Sequence, residues 1–318
     1  MNGTGKVGVA LVLGVTGGIG GAVAKALAAR GWTIRALTRR KPESRPVMAF
    51  PVEWCEGDSL DRDTVIAAAD GASIIVHAVN PPGYARWRED ALPMLANTIE
   101  AARRSGATIL FPANVYVFSS QSPDTVDEAT PKSPQTRKGQ VRLEMEQMLE
   151  AASREGVRTI AVRAGDFFGP GIESSWFSQA LAKGGANAKA LRALTSVGHA
   201  WAYVPDLAET FARLVERRES LAPFELVHFG GHYDATGREL AEAVRRVAGR
   251  PDLAIKPFRW IQVWLGAPFM PFLREVLEML WLWTHPLRLD NRKLVALLGE
   301  EPHTPLDQAV GEAIRAAN

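Results

Sequence analysis

The sequence predicts an α/β fold, a doubly wound parallel sheet with a smaller C-terminal lobe. Three observations predict it. Short, nearly continuous apolar runs alternate with helical periodicity over residues 1–165. A glycine-rich turn joins the first apolar run directly to the first helical stretch. Beyond residue 165 the alternation gives way to a mixture of Gly, Pro and aromatic residues.

Taken in order, Val7–Gly14, Trp32–Thr38, Ser73–Ala78, Thr108–Phe118 and Val157–Arg163 read as strands, and Val52–Trp54 as a short additional one. They are rich in Val, Ile and Leu with little alternation, the pattern of parallel strands covered on both faces. Between them Gly18–Arg30, Leu60–Ala69, Trp87–Ser105 and Arg137–Arg154 carry helical spacing, which makes the connections βαβ crossovers. After residue 165, Pro205–Arg217 and Thr236–Gly249 read as helices and Phe224–Phe229 as a strand. Thr236-Gly-Arg-Glu239 has the capping-box pattern, in which a threonine hydroxyl and a glutamate satisfy the first backbone N–H groups of a helix.

The 318 residues are 47% hydrophobic and 23% charged, the composition of a globular chain. Lys and Arg number 37 against 35 Asp and Glu, so the net charge is +2 and no nucleic-acid partner is expected. A lone Cys55 rules out an intrachain disulfide and fits a reducing compartment, so a cytoplasmic location is expected. Nine Trp are present, and six of them (Trp176, Trp201, Trp260, Trp264, Trp281 and Trp283) lie beyond residue 170. The apolar stretch Trp260–Leu273 is broken by Pro268 and Pro271 and is too short to span a bilayer, so no transmembrane segment is expected and peripheral membrane contact is disfavoured. Trp260, Trp264, Trp281 and Trp283 are expected to form an apolar wall for a bulky substrate, with a core or a homodimer face as the alternative.

Gly14-Val15-Thr16-Gly17-Gly18-Ile19-Gly20 follows the first strand and opens a helix. Gly14 permits the tight turn, Gly17 lets backbone approach a pyrophosphate, and Gly20 lets helix and strand pack closely. The helix N-terminus offers free N–H groups to the anion. This is the dinucleotide-binding pattern, and residues 1–165, joined again by 200–230, are expected to form a Rossmann-type NAD(P)-binding domain. Residues 166–318 are expected to form an aromatic-rich substrate lobe. NAD-selective sites place a carboxylate at the end of the second strand; here stand Arg39 and Arg40, followed by Lys41, whose cations suit a 2′-phosphate. NADP(H) is therefore expected ahead of NAD(H).

Further motifs follow at ordered positions: Gly57-Asp58 with Ser59 beside it, Val76-His77-Ala78, Asn97-Thr-Ile-Glu-Ala-Ala, Arg163-Ala-Gly-Asp-Phe-Phe-Gly-Pro-Gly171 and Tyr203-Val-Pro-Asp206-Leu-Ala. Through them nearly the whole chain resembles the extended short-chain dehydrogenase/reductases, the group of nucleotide-sugar epimerases, dehydratases and dihydroflavonol-type reductases. The resemblance implies that Asp58 and Ser59 lie at the adenine, His77 and Ala78 beside the cofactor, and Asn97 on the helix that carries an active-site Asn.

That group's chemistry rests on Tyr-x-x-x-Lys plus a Ser or Thr. The residues four beyond Tyr84, Tyr116, Tyr203 and Tyr233 are Arg88, Ser120, Leu207 and Gly237, so the pair is absent from this chain. The flanking segments Glu128–Pro134 and Leu143–Glu146 resemble those around the pair, and set Lys138 in the Tyr slot and Arg142 in the Lys slot. Pro112 falls in the Ser slot with Asn114 close by. Lys138 is expected as a proton donor, Arg142 as a ribose contact, Asn114 as a hydrogen-bond donor to a carbonyl, and Tyr84 as a reserve acid. His228 and His232 flank two glycines that would break a ligating helix, so no metal is expected. Asp166 reads as a surface or capping group, and His199 as a packed strand residue or a substrate contact.

The expected function is that of an NADP(H)-binding oxidoreductase acting on a hydroxyl or carbonyl of a small, apolar molecule. The alternatives are a non-catalytic NADP(H)-binding regulator or sensor and a nucleotide-sugar epimerase or dehydratase.

Overall fold

The computed structural model describes residues 7–81, 86–172, 175–182 and 190–317. In chain order the first elements are β1 (Val9–Leu13), α1 (Gly18–Ala28), β2 (Thr33–Thr38), β3 (Val52–Glu56), α2 (Arg62–Ala68), β4 (Ala72–His77), α3 (Trp87–Ser105) and β5 (Thr108–Asn114). There follow β6 (Thr125–Val126), α4 (Arg137–Arg154), β7 (Thr159–Ala164), β8 (Asp166–Phe168), β9 (Ala190–Ala193), β10 (His199–Tyr203), α5 (Val204–Glu216) and β11 (Phe224–His228). The last are β12 (His232–Asp234), α6 (Glu239–Val247), β13 (Ala254–Pro257), α7 (Trp260–Gly266), α8 (Pro271–Glu278), β14 (Arg288–Leu289), α9 (Arg292–Leu298) and α10 (Leu306–Ala317).

A seven-stranded sheet has the order β11-β7-β5-β4-β1-β2-β3, and the pairs β1–β2, β1–β4, β2–β3 and β4–β5 are parallel. The order runs outward from β1 in both directions, as in a doubly wound sheet. Its central strands are buried along nearly their whole length, which is why they read as unbroken apolar runs. Small sheets β12-β10-β8, β13-β9 and β14-β6 complete the strands.

Two expected boundaries move for local reasons. The strand expected through Phe118 stops at Asn114, whose side-chain oxygen accepts the Tyr116 N–H at 3.1 Å and turns the chain into a short 3-10 helix. The helix expected from Thr236 begins at Glu239, because the Asp234 carboxylate accepts the N–H groups of Thr236, Arg238 and Leu240 and does the capping.

Two compact units are present. The first comprises residues 1–113, 141–162 and 208–226, and the second residues 114–140, 163–207 and 227–318. In the second unit the tryptophans divide. Trp281 and Trp283 are buried, and Trp176 and Trp260 pack against the core that holds Phe168, Phe177, Trp201 and Trp283. Trp264 instead is 58% exposed. Among the described residues no helix is long and apolar enough to cross a membrane.

Candidate active site

The first unit holds the glycine turn as one rigid piece. Gly14 has φ +94°, a conformation open to glycine, and a Cβ there would stand 2.5 Å from the Ala78 carbonyl oxygen. A Cβ on Gly20 would stand 2.2 Å from the Gly14 oxygen, so α1 can approach the turn this closely only with hydrogen at that position. The Gly17 N–H closes the turn on the Gly14 carbonyl at 3.0 Å. Gly17 caps α1 with no side-chain hydrogen bond, and no acidic residue stands in the first turn, so the N–H groups there are open to an anion. Thr16 and Gly17 are exposed, and Gly18 and Ile19 half-buried. These features fit the pyrophosphate of a dinucleotide, which this loop would hold.

The residues expected around such a cofactor are ordered within the same unit. At the end of β2, Arg39 and Arg40 are exposed, and Arg39 reaches Asp58 at a loose 3.7 Å. Asp58 accepts the Leu60 N–H at 3.0 Å, and Asn97 donates its amide to the Ser59 carbonyl at 3.0 Å. Asn97 thus fixes the loop that carries Asp58 and Ser59. His77 ends β4 just before Ala78 and is buried, with its Nδ1 2.8 Å from Thr98 Oγ1, which itself donates to the Met94 carbonyl. The Nδ1 therefore carries the hydrogen, and Nε2 is a buried atom without a hydrogen-bond partner. Burial first, and the Arg142 charge second, hold this imidazole down to a pKa of about 3.

Lys138 and Arg142, the residues expected in the catalytic slots, are both engaged. Arg142 is buried, stacks its guanidinium 4.6 Å from the Phe111 ring centre and donates to the Pro112 carbonyl, in the slot where the pattern has a serine. Lys138 sits one turn earlier on α4, and its ammonium serves a structural network in the second unit. It donates to Glu275 Oε2 at 2.5 Å, Glu278 Oε2 at 3.1 Å and the Glu275 carbonyl at 3.1 Å, which engages all three of its hydrogens. Burial raises the Glu278 carboxyl, but the Lys138 backbone N–H and ammonium outweigh it and hold the group below the usual carboxylate range. Asn114 presents its carbonyl to Arg163 at 2.5 Å, and its side-chain oxygen is taken by Tyr116. Tyr84 lies outside the described residues.

The second unit contains a pair that the sequence did not announce. His199 Nε2 is 2.8 Å from Asp166 Oδ2, and its Nδ1 is 3.1 Å from the Leu282 carbonyl. Asp166, read from sequence as a surface or capping group, has a side chain only 14% exposed. A carbonyl only accepts, so the imidazole donates from Nδ1 in that contact, and Nε2 faces the carboxyl group. Trp283 stacks on the ring at 4.3 Å and 13°, and a cavity of about 10 Å³ beside the pair is lined by Val115, Gly165, Ala200, Leu282 and Leu287. The strand register that pairs Trp201 with Asp166 brings these groups together, a long-range fact with no local signal. His228 and His232 do not converge: His228 takes the Arg163 Nε–H at 3.2 Å, whereas His232 stands 4.4 Å from His303.

A model of the NAD dependent epimerase/dehydratase family matches residues 10–230. The chain belongs to this family. A 3-diazoavenalumate denitrifying reductase of Streptomyces sp. is 32% identical over 136 residues, spanning 38% of this chain and 42% of that protein, less than half of either. Among solved structures, the UDP-N-acetylglucosamine 4-epimerase of Bacillus cereus superposes with TM-score 0.75 at 16% identity, covering 96% of this chain and 95% of its own. The Bordetella bronchiseptica enzyme WbmH in complex with NAD+ superposes with TM-score 0.74 at 17% identity over 97% of each chain. These likenesses establish the family fold. The chain has no Tyr-x-x-x-Lys pair.

Proposed function

We propose that this family member is an NADP(H)-dependent oxidoreductase acting on a hydroxyl or carbonyl of a small, apolar molecule, with the His199–Asp166 pair as its proton donor and acceptor. The observation that carries the reading is the buried His199–Asp166 pair, with the imidazole Nε2 2.8 Å from a carboxyl oxygen, in a chain without a Tyr-x-x-x-Lys pair. A bound nicotinamide dinucleotide supplies the hydride to a carbonyl carbon or takes it from a carbinol carbon.

The chain's own residues divide the remaining work. The glycine turn and the α1 N-terminus hold the pyrophosphate, and the exposed guanidinium groups of Arg39 and Arg40, following β2, hold a 2′-phosphate. In reduction, His199, hydrogen-bonded to Asp166, would hand a proton to the carbonyl oxygen; in oxidation it would take one back. Trp283 stacks on the ring, and the Leu282 carbonyl fixes its orientation. Arg142 acts through its charge and its hold on the Pro112 carbonyl, and Asn114 orients the turn after β5.

The test is a fluorescence titration with NADPH and NADH, followed by turnover of a panel of apolar aldehydes and ketones. His199→Gln and Asp166→Asn should each lower kcat on the order of a hundredfold or more while the NADPH Kd holds. Unchanged turnover in both variants would refute the pair as the proton source. Turnover of UDP-sugars alone would establish the epimerase or dehydratase alternative, which the Bacillus cereus relative favours.

A further inference from the structure

Six of the largest exposed apolar side chains of the described residues fall within twelve consecutive positions. Ile261, Trp264, Leu265, Phe269, Met270 and Phe272 are between 52% and 85% exposed, and together they form the tip of the hairpin made by α7 and α8. The inner side of the hairpin is packed as a helix pair should be, with Val263, Ala267, Val276 and Met279 buried and Trp260 against the Trp176–Trp283 cluster. The outer side is also apolar, and Gln262 is the one polar side chain between Trp260 and Leu273. Those exposures amount to roughly 700 Å² of contiguous apolar surface, above the ~300–600 Å² of the largest patch on an ordinary monomer.

The charges at the base of the hairpin indicate what covers it. Lys256, Arg259 and Arg274 are exposed and make no ion pair among the described residues. The acidic groups of α8 are committed elsewhere, since Glu275 and Glu278 face Lys138 and Arg137. The tip is therefore uncharged and its rim basic, which complements the interface of a bilayer with anionic headgroups. A second copy docking through the same face would bring two basic rims together, because a two-fold interface sets a patch against itself.

We infer that the α7–α8 hairpin is a membrane-surface anchor, with Trp264, Phe269 and Phe272 seated among the acyl chains and Lys256, Arg259 and Arg274 on anionic phosphates. It lies in the plane of the interface and does not span the bilayer. The inference stands independently of the catalytic reading, although an apolar substrate dissolved in the same membrane would suit both.

The experiment is co-sedimentation of the full chain with vesicles of phosphatidylcholine alone and with a third of phosphatidylglycerol. Most of the protein should sediment with the anionic vesicles, and at least tenfold less with the neutral ones. Phe269→Ser with Trp264→Ser should abolish sedimentation on both, and Lys256→Glu with Arg259→Glu and Arg274→Glu should abolish the preference for anionic lipid. Circular dichroism of each variant reports that the fold is intact, independently of the cofactor reading. Failure of the wild-type chain to sediment with anionic vesicles overturns the inference. So does a wild-type dimer by light scattering that Phe269→Ser makes monomeric, which would assign the hairpin to a second copy.

Discussion

Replacing Lys138 with Met separates the structural network around this residue from a catalytic role. Methionine keeps most of the alkyl stem and removes an ammonium that is 4% exposed and engaged by Glu275 and Glu278. It leaves two carboxylates, 24% and 13% exposed, facing each other with only Arg137, 80% exposed, to neutralise them. Breaking a buried ion pair costs about 3–5 kcal/mol, and because Glu275 is partly solvated the lower end applies, about 3 kcal/mol. Glu278, held below the usual carboxylate range by Lys138, contributes stability above its unfolded pKa and loses it as the pH falls. In Lys138→Met that restraint is gone, so the loss should be largest at neutral pH and shrink in acid. Urea unfolding at pH 7.5 and pH 3.5, on either side of the ordinary carboxylate value of 4.5, reads both effects. Adding Glu275→Gln and Glu278→Gln to Lys138→Met should restore most of the stability, because the unpaired charges are then absent. A Lys138→Met chain as stable as the wild type, within about 0.5 kcal/mol, but without turnover would refute the argument and place the ammonium on the substrate.

Three further outcomes are expected. The His77 imidazole, held down to about 3 by burial and Arg142, refuses a proton that the unfolded chain accepts near its ordinary 6.5. Its contribution is therefore complete above that value and is lost toward lower pH at about 1.4 kcal/mol per unit, and His77→Gln should flatten the acid limb of a stability–pH profile by that slope. Arg39→Ser should raise the NADPH Kd on the order of tenfold with little change for NADH or for stability, since its ion pair with Asp58 is long and exposed; equal effects on both dinucleotides would remove the 2′-phosphate role. Gly20→Ala sets a Cβ 2.2 Å from the Gly14 carbonyl oxygen, backbone that cannot swing away, so dinucleotide binding by calorimetry should be lost while the variant remains folded by circular dichroism.

The parts of the molecule legible in sequence are those set by short-range contacts. Strands β1, β4, β5 and β7 are buried on both sides, so their side chains are apolar without alternation and advertise themselves. The glycine turn is likewise local, because the steric demand at Gly14 and Gly20 arises within a few residues and from the adjacent strand end at Ala78. Helix starts were less legible, and Asp234 capping α6 in place of Thr236 shows why: several nearby oxygens compete for the same N–H groups.

Three features were decided by the tertiary structure alone. His199 and Asp166 are 33 residues apart in sequence, and only the β8–β10 pairing makes them a proton-sharing pair. Lys138 lies 137 residues from Glu275, so whether its ammonium is a reactive group or a tie depends on where α8 packs. The tryptophans of the second half divide between a buried cluster and the exposed tip of α7, a distinction that composition cannot draw because the same indole serves both. Local sequence specifies backbone conformation and the period of burial. The protonation and availability of a polar or aromatic side chain depend on its neighbours, which distant segments supply.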